Sequence, residues 1–119
     1  MQKLLTHTRH HSYKLQENGI IRLATLSEIV YLKAKINYTC FVLNDLSQFT
    51  MHQTLLNFET ELGHSFFRCH KSYLINTIFI REINRRNHQI ILTNGDTIPY
   101  SRHKEKMLQE KLKTSVNYQ

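Results

Sequence analysis

Basic and hydrogen-bonding side chains cluster in the segment FRCHKSY at residues 67–73. Alternation along a strand places Arg68 and His70 on one face, opposite Cys69. Lys71 follows at the end of this strand, where a tight loop would project it beyond the sheet. Donors on a rigid support suit phosphate oxygens and guanine edges of nucleic acid. The alternative is an ordinary solvated strand face with a surface lysine.

A second polar segment, KAKINY at residues 33–38, lies between two apolar stretches. Asn can pair bidentately with adenine, and Lys can reach phosphate or guanine O6. Asn37 and Lys35 are therefore candidates for contact with DNA. The alternative is a plain turn in which Asn37 supplies a residue that tolerates left-handed backbone.

A third basic segment, Ser101-Arg102-His103-Lys104, opens a predicted C-terminal helix. Cations in a first turn oppose the positive end of the helix dipole. A phosphate docked at the helix N-terminus would meet free backbone N–H groups together with Arg102 and Lys104. Alternatively, the helix begins later, near Lys104. His103 and His70 are predicted to act as donors to DNA near neutral pH.

The charge of the chain agrees with an anionic partner. The formal net charge of the chain is +7, and its length of 119 residues is typical of a single domain. Residues 64–119 hold ten Lys and Arg against four Asp and Glu, a net charge of +6, whereas residues 1–63 hold six against five, a net charge of +1. This excess favours nucleic acid or an anionic membrane surface. No apolar run approaches the ~20 residues that cross a bilayer, and no secretory signal is visible, so a cytoplasmic location without membrane contact is predicted.

Residue patterns typical of metal sites and enzymes are missing. Cys40 and Cys69 lie in apolar segments without a second pair and are predicted to be buried thiols. His7, His10 and His11 have helical ligand spacing but lack a carboxylate or cysteine to complete a zinc shell. There is no HExxH, no GxSxG and no glycine-rich phosphate loop among the three glycines. We predict no catalysis, no metal and no cofactor.

Hairpins are the main structural unit that the sequence predicts. Asn18-Gly19, Asn44-Asp45 and Asn94-Gly95 are flanked by short apolar runs, and Asn-Gly suits a type I′ turn. The paired strands predicted are residues 13–16 with 20–23, 39–43 with 48–51 and 89–93 with 97–100. Further strands are predicted at residues 29–33, 66–70, 73–76 and 78–83. Because Pro99 lacks a backbone N–H, its strand is expected at a sheet edge.

Helical patterns are fewer. Thr54 can cap a helix in which Leu55, Phe58 and Leu62 recur at helical spacing before Gly63. Residues 25–28 have the spacing of a capping box and predict a single turn. A last helix is expected after residue 101. The fold class is therefore mainly β with minor α, built of antiparallel hairpins, with an arm at residues 1–12, the domain at 13–113 and a tail at 114–119.

Taken together, four segments resemble the LytTR family of bacterial transcription-factor domains. Residues 31–38 (YLKAKINY) fit the family pattern apolar-apolar-x-A-x-x-N-Y, and residues 54–62 fit the helix T-L-x-x-x-E-x-x-L. Residues 66–76 (FFRCHKSYLIN) fit F-x-R-x-H-x-S followed by apolar residues and Asn. Residues 94–102 form an N-G hairpin that ends in P-x-S-R. The resemblance covers roughly residues 20–112.

The resemblance implies a compact antiparallel β fold that reads duplex DNA with loops entering successive major grooves. The contact positions that it implies are Asn37 with Lys35, Lys71 with His70, and Arg102. It also implies binding to paired direct repeats, a second copy of the chain on DNA, and a receiver domain or sensor kinase pathway upstream. Lys33 and Ile36 depart from the family, because an acidic residue and a small or polar residue are common there.

Two alternative functions use the same basic face. An RNA-binding module would need exposed aromatic rings for base stacking, whereas Tyr38 and Tyr73 are expected to be partly buried. An anionic-surface interaction module would bind vesicles or proteins in place of duplex DNA.

Overall fold

The computed structural model describes residues 12–116, with side chains described for residues 12–113. Over this range the chain forms ten strands and two α-helices. The strands are β1 (Ser12–Glu17), β2 (Ile20–Thr25), β3 (Ile29–Lys35), β4 (Tyr38–Leu43), β5 (Gln48–Met51), β6 (Phe66–His70), β7 (Tyr73–Asn76), β8 (Ile80–Asn84), β9 (Gln89–Leu92) and β10 (Thr97–Pro99). The helices are α1 (Leu55–Leu62) and α2 (Glu105–Val116).

The strands form three antiparallel sheets. The largest has the order β5-β4-β3-β7-β6, a second has the order β10-β9-β8, and β1 pairs with β2 alone. Each sheet is built from hairpins of consecutive strands, except that β3 pairs with β7 through Tyr31 and Ile75. This architecture confirms the predicted mainly β fold. Pro99 lies in β10, at the edge of its sheet, as its missing N–H predicts.

Two apolar cores lie on opposite faces of the five-stranded sheet. On one face, the β1–β2 hairpin and α1 pack around Phe41 and Phe58, whose rings meet edge to face at 4.9 Å. On the other face, the three-stranded sheet and α2 enclose Cys69, Ile90 and Leu108, each with no exposed surface. Both cysteines are free and buried, as predicted. The central sheet thus lies between two packed layers.

The Asn-Gly turns differ from each other. Asn18 and Gly19 both have positive φ, 52° and 80°, as a type I′ turn requires. At the β9–β10 turn only Gly95 has positive φ, 96°, and its N–H donates to the carbonyl of Leu92 at 2.9 Å. This is the three-residue loop of a type I turn closed by a glycine bulge. The type I′ expectation for this second Asn-Gly was wrong.

Local helix signals were located correctly. Thr54 caps α1, its hydroxyl accepting from the N–H of Asn57 at 3.2 Å, and Gly63 ends the helix with φ of 90°. The single turn predicted at residues 25–28 is a 3₁₀ turn in which the N–H of Thr25 donates to the Glu28 carboxylate at 2.8 Å.

The predicted strand at residues 78–83 begins too early. Residues 77–79 form a 3₁₀ turn, and β8 starts at Ile80. The cause is the buried amide of Asn76, which accepts from the N–H of Ile78 and donates to the carbonyls of Leu26 and Ile29. These contacts join segments almost fifty residues apart, so local sequence carries no sign of them.

The first strand, β1, begins at Ser12, and α2 continues to Val116. The division of the chain predicted at residues 12 and 113 stays a prediction. Residues 1–11, which hold His7, His10 and His11, lie outside the described residues. No helix within residues 12–116 is both long and apolar enough to cross a membrane.

Candidate nucleic-acid interface

The three basic segments found in the sequence emerge at one end of the sheets. Strands β3 and β6 are both antiparallel to β7, so they run in the same direction. The loops that follow them therefore lie at the same end of the sheet. The first loop, residues 35–38, follows β3, and the second loop, residues 70–73, follows β6. The third segment, residues 101–104, follows β10.

Backbone hydrogen bonds fix these segments side by side. The N–H of Ala34, next to the first loop, donates to the carbonyl of Ser72 in the second loop at 2.8 Å. The N–H of Ser101, in the third segment, donates to the carbonyl of Cys69 beside the second loop, also at 2.8 Å. The second loop therefore lies between the other two.

The first loop is a two-residue turn closed by the pair Lys35 and Tyr38. Asn37 has φ of 68°, so it does supply the left-handed residue that the turn needs. Its side chain and that of Lys35 are exposed, and Ile36 at the tip is 84% exposed. Asn37 and Lys35 line a groove of about 450 Å³ together with His52 and the start of α1.

Arg68 organises the second loop. Its Nε donates to the carbonyl of His70 at 3.1 Å and its Nη2 to the carbonyl of Lys71 at 2.7 Å. Its Nη1 forms an ion pair with Glu59 of α1 at 2.8 Å. The guanidinium is therefore committed to protein groups, and it holds the Lys71 backbone in place while the Lys71 side chain stays exposed.

His70 contributes to the same loop through its ring. Its Nδ1 accepts from the N–H of Ser72 at 3.1 Å, which leaves Nε2 as the free ring position. The His70 ring meets the Tyr73 ring edge to face, with 5.7 Å between their centroids. The ammonium of Lys33 lies over the Tyr73 ring, 5.7 Å from its centroid. Tyr73 and Tyr38 are both half-buried, as predicted.

The third segment corrects the predicted helix start. Arg102–Lys104 forms one 3₁₀ turn, and the α-helix begins at Glu105. Arg102 and His103 are exposed, whereas Lys104 is half-buried with its ammonium 5.8 Å from the Phe67 ring centroid. The basic residues occupy this 3₁₀ turn, which leads directly into α2, and a carboxylate occupies the first position of α2. The phosphate site predicted here stays a prediction.

Glu105 joins the third segment to its neighbours. Its carboxylate accepts from the Tyr100 hydroxyl at 2.6 Å, from Gln109 at 3.0 Å and from Nε of Arg85 at 2.9 Å. The Tyr100 hydroxyl, Gln109 and Arg85 lower the pKa of Glu105, so the charged form is favoured. Residues 101–104 are thus fixed at both ends, by the hydrogen bond from Ser101 to Cys69 and by the contacts of Glu105.

Exposed cations lie at the loop end of the sheets. The exposed loop end carries the cations Lys35, Lys71 and Arg102, whereas the turns at the other end carry Asp45 and Asp96. Asp45 is held by the N–H of Ser47 and by Arg22, which lower its pKa to about 2. The carboxylates of Glu59 and Glu105 also lie near this end, where they pair with Arg68 and Arg85.

Sequence reasoning did not identify the residues that position the loops. Arg68 was placed on the basic strand face, but its partner Glu59 lies in a different element and nothing in the spacing indicates the pairing. Glu105 appeared only as a helix residue. No group of three His, Cys, Asp or Glu side chains within the described residues is arranged to hold a metal ion.

Comparison with known proteins agrees with this geometry. The sequence matches the LytTr DNA-binding domain family over residues 19–113. This chain belongs to the LytTR family. Two relatives of the LytTR domain are informative. Sensory transduction protein LytT of Bacillus subtilis (strain 168) is 29% identical over 111 residues, which are 90% of this chain and 46% of LytT.

The second relative is a solved LytTr DNA-binding domain from Bacillus cereus. It superposes on this LytTR domain with a TM-score of 0.77 and 24% identity, covering 88% of this chain and 98% of the other. It therefore has the same fold. The chain spans about half the length of LytT.

Proposed function

We propose that this LytTR domain is a sequence-specific DNA-binding transcriptional regulator in which Asn37, Lys71 and Arg102 reach base edges from three adjacent loops. The observation that best supports the proposal is the pair of backbone hydrogen bonds, Ala34 to Ser72 and Ser101 to Cys69, which hold the three basic segments side by side. Lys35, His70, His103 and Lys104 then serve as phosphate or supporting contacts.

The order of the row supports reading of consecutive grooves. The second loop lies between the first loop and the third segment, so the outer two can enter neighbouring major grooves while Lys71 meets the DNA between them. Arg pairs bidentately with guanine and Asn with adenine, and each such pair discriminates by about 1–3 kcal/mol. The half-buried tyrosines leave little ring surface for the base stacking that single-stranded RNA needs.

Selection of bound sequences from a random duplex pool tests the proposal, followed by fluorescence-anisotropy titration of the recovered duplex. Arg102→Ala and Lys71→Ala should each weaken binding by about 1–3 kcal/mol and relax discrimination at one position. Arg81→Ala is the matched control, because Arg81 is exposed at the start of β8, away from the loops. A loss spread evenly over all sequences would instead assign phosphate contacts.

The same titration separates the alternatives. Affinity for duplex DNA should fall with salt, with a log-log slope of about −0.9 per neutralised phosphate. Single-stranded RNA and anionic vesicles are the competitors. If either displaces the selected duplex at equal phosphate concentration, sequence-specific DNA reading is wrong.

We also propose that two copies bind paired direct repeats, and that the domain serves as the DNA-reading part of a sensory transduction protein downstream of a receiver domain or sensor kinase. The similarity to LytT supports the second point. Sedimentation of the domain with duplexes that carry one or two copies of the selected site gives the stoichiometry. One copy bound to the double site would contradict the first point.

A further inference from the structure

A fourth segment extends the row of loops. Residues 85–88 form the turn between β8 and β9, and the carbonyl of His88 accepts from the N–H of Tyr100 at 3.0 Å. The His88 and Tyr100 rings also meet edge to face at 5.4 Å. Because Tyr100 directly precedes the third segment, this β8–β9 turn lies beside residues 101–104, on the side away from the second loop.

The β8–β9 turn carries two consecutive arginines, Arg85 and Arg86, which lie outside the three predicted basic segments. Arg85 is 69% exposed and its Nε donates to Glu105, which ties the turn to α2. Arg86 is exposed and, among residues 12–113, has no hydrogen-bond or ion-pair partner. Within this range its guanidinium donors are therefore available.

The backbone of this turn is held firmly. The N–H of Asn87 donates to the side chain of Asn84 at 3.1 Å, and His88 adopts φ of 54°, a conformation that non-glycine residues seldom take. Together with the bonds from His88 to Tyr100 and from Arg85 to Glu105, these contacts leave the turn little freedom. Arg86 is therefore displayed from a fixed support, which limits the entropy lost on binding.

Like charges collect where the turn meets the third segment. Arg85, Arg86 and Arg102 are all exposed there, and Glu105 is the carboxylate that contacts the turn within the described residues. An anion running past the third segment would meet Arg86 next. A guanidinium suits a phosphate oxygen pair by its fixed fork of donors.

We infer that Arg86 contacts a DNA backbone phosphate outside the base pairs that face Arg102, and that Arg85 positions the turn through Glu105. The inference depends on the proposed DNA-binding function and extends its footprint by one segment. The contact is independent of base sequence, because the turn ends the row and its free donors suit phosphate.

Salt titrations of the selected duplex test the inference. Arg86→Ala should weaken binding equally for matched and mismatched duplexes and make the log-log salt slope shallower by about 0.9, one phosphate contact. Arg86→Lys should retain the slope because it retains the charge. Arg81→Ala removes the same charge from the opposite end of β8, where Arg81 is 54% exposed, and should leave the slope unchanged.

Shortening the duplex locates the contact. Removing flanking base pairs on the side that faces Arg102 should weaken wild-type binding but leave Arg86→Ala unaffected, and trimming the other flank should affect both proteins equally. If wild-type and Arg86→Ala proteins have the same salt slope and respond equally to trimming of the duplex, the inference about Arg86 is wrong. That result would leave the proposed function intact. Wild-type protein that fails to select any duplex would overturn the proposed function itself.

Discussion

Nη1 of Arg68 lies 2.8 Å from Oε1 of Glu59, an ion pair that joins strand β6 to helix α1. The same guanidinium donates to the carbonyls of His70 and Lys71. A planar fork of donors can satisfy several acceptors at once, which a lysine ammonium cannot do with the same geometry. Arg68 is therefore a positioning residue for the second loop, and the Lys71 side chain stays exposed.

Arg68→Lys should weaken binding of the selected duplex while leaving the salt slope unchanged. The charge is retained, but the two carbonyl contacts are not, and each charge-assisted bond contributes about 1.5–3 kcal/mol. Anisotropy titration across a salt series measures both quantities, with thermal unfolding as the check on folding. Glu59→Gln is the matched variant: it removes the ion pair, keeps the carbonyl bonds, and should bind nearly as well as wild type. A shallower slope for Arg68→Lys would show that Arg68 itself meets phosphate.

Asn37 supplies the left-handed residue of the turn, and the proposed function gives it a second role in base reading. Asn37→Gly keeps the positive φ and removes the amide, so stability should hold while discrimination at one base falls by about 1–3 kcal/mol. Asn37→Ala removes the amide and also strains the backbone, which adds about 1 kcal/mol of destabilisation. Urea unfolding and titration with matched and mismatched duplexes separate the two. Equal discrimination by wild type and Asn37→Gly would reduce Asn37 to a turn residue.

Features set by neighbouring residues could be predicted from the sequence. The Asn18-Gly19 hairpin, the cap of α1 at Thr54 and the edge position of Pro99 each follow from the chemistry of one or two residues. The start of β8 and the pairing of β3 with β7 do not, because they depend on contacts such as Asn76 with Ile29, which are distant in sequence.

The same distinction applies to the candidate site. Lys35, Lys71 and Arg102 could be selected because exposed basic residues at loop positions are visible in a strand pattern. The residues that hold them, Arg68 and Glu105, act across elements, so only the fold reveals them. The helix that was expected at Arg102 begins at Glu105, where the carboxylate accepts from Tyr100 and Arg85.

Ile36 is 84% exposed at the tip of the first loop, so it can be changed without disturbing a core. If it touches a thymine methyl, replacing that thymine by uracil in the selected duplex should cost wild-type protein about 0.8 kcal/mol, the transfer energy of one methyl-sized group. Ile36→Ser should bind both duplexes equally. The comparison is made by competition titration, one thymine at a time. If uracil is neutral at every position for wild-type protein, Ile36 does not read DNA.

Cys69 should resist alkylation in the folded protein. It is fully buried, and burial raises the pKa of its thiol to about 12, so almost no reactive thiolate exists at neutral pH. Burial also raises the pKa of Cys40. Maleimide labelling followed by mass spectrometry should therefore show modification only under conditions that open the structure. The labelling rate should increase with urea in step with unfolding, and a fast rate in buffer alone would contradict the buried positions.

The Cys69 thiol also makes stability depend on alkaline pH. Its usual pKa of 9.0 is raised to about 12 in the folded protein, so the folded state binds this proton more tightly than the unfolded chain does. The contribution is complete below about pH 9 and is lost as pH rises toward 12. Urea unfolding at a series of pH values should show declining stability over that window, and Cys69→Ala should decline less steeply. Tyr100 is present in both proteins, so its ionisation affects both stability curves equally. If the stability of both proteins declines in parallel with pH, the buried thiol does not contribute.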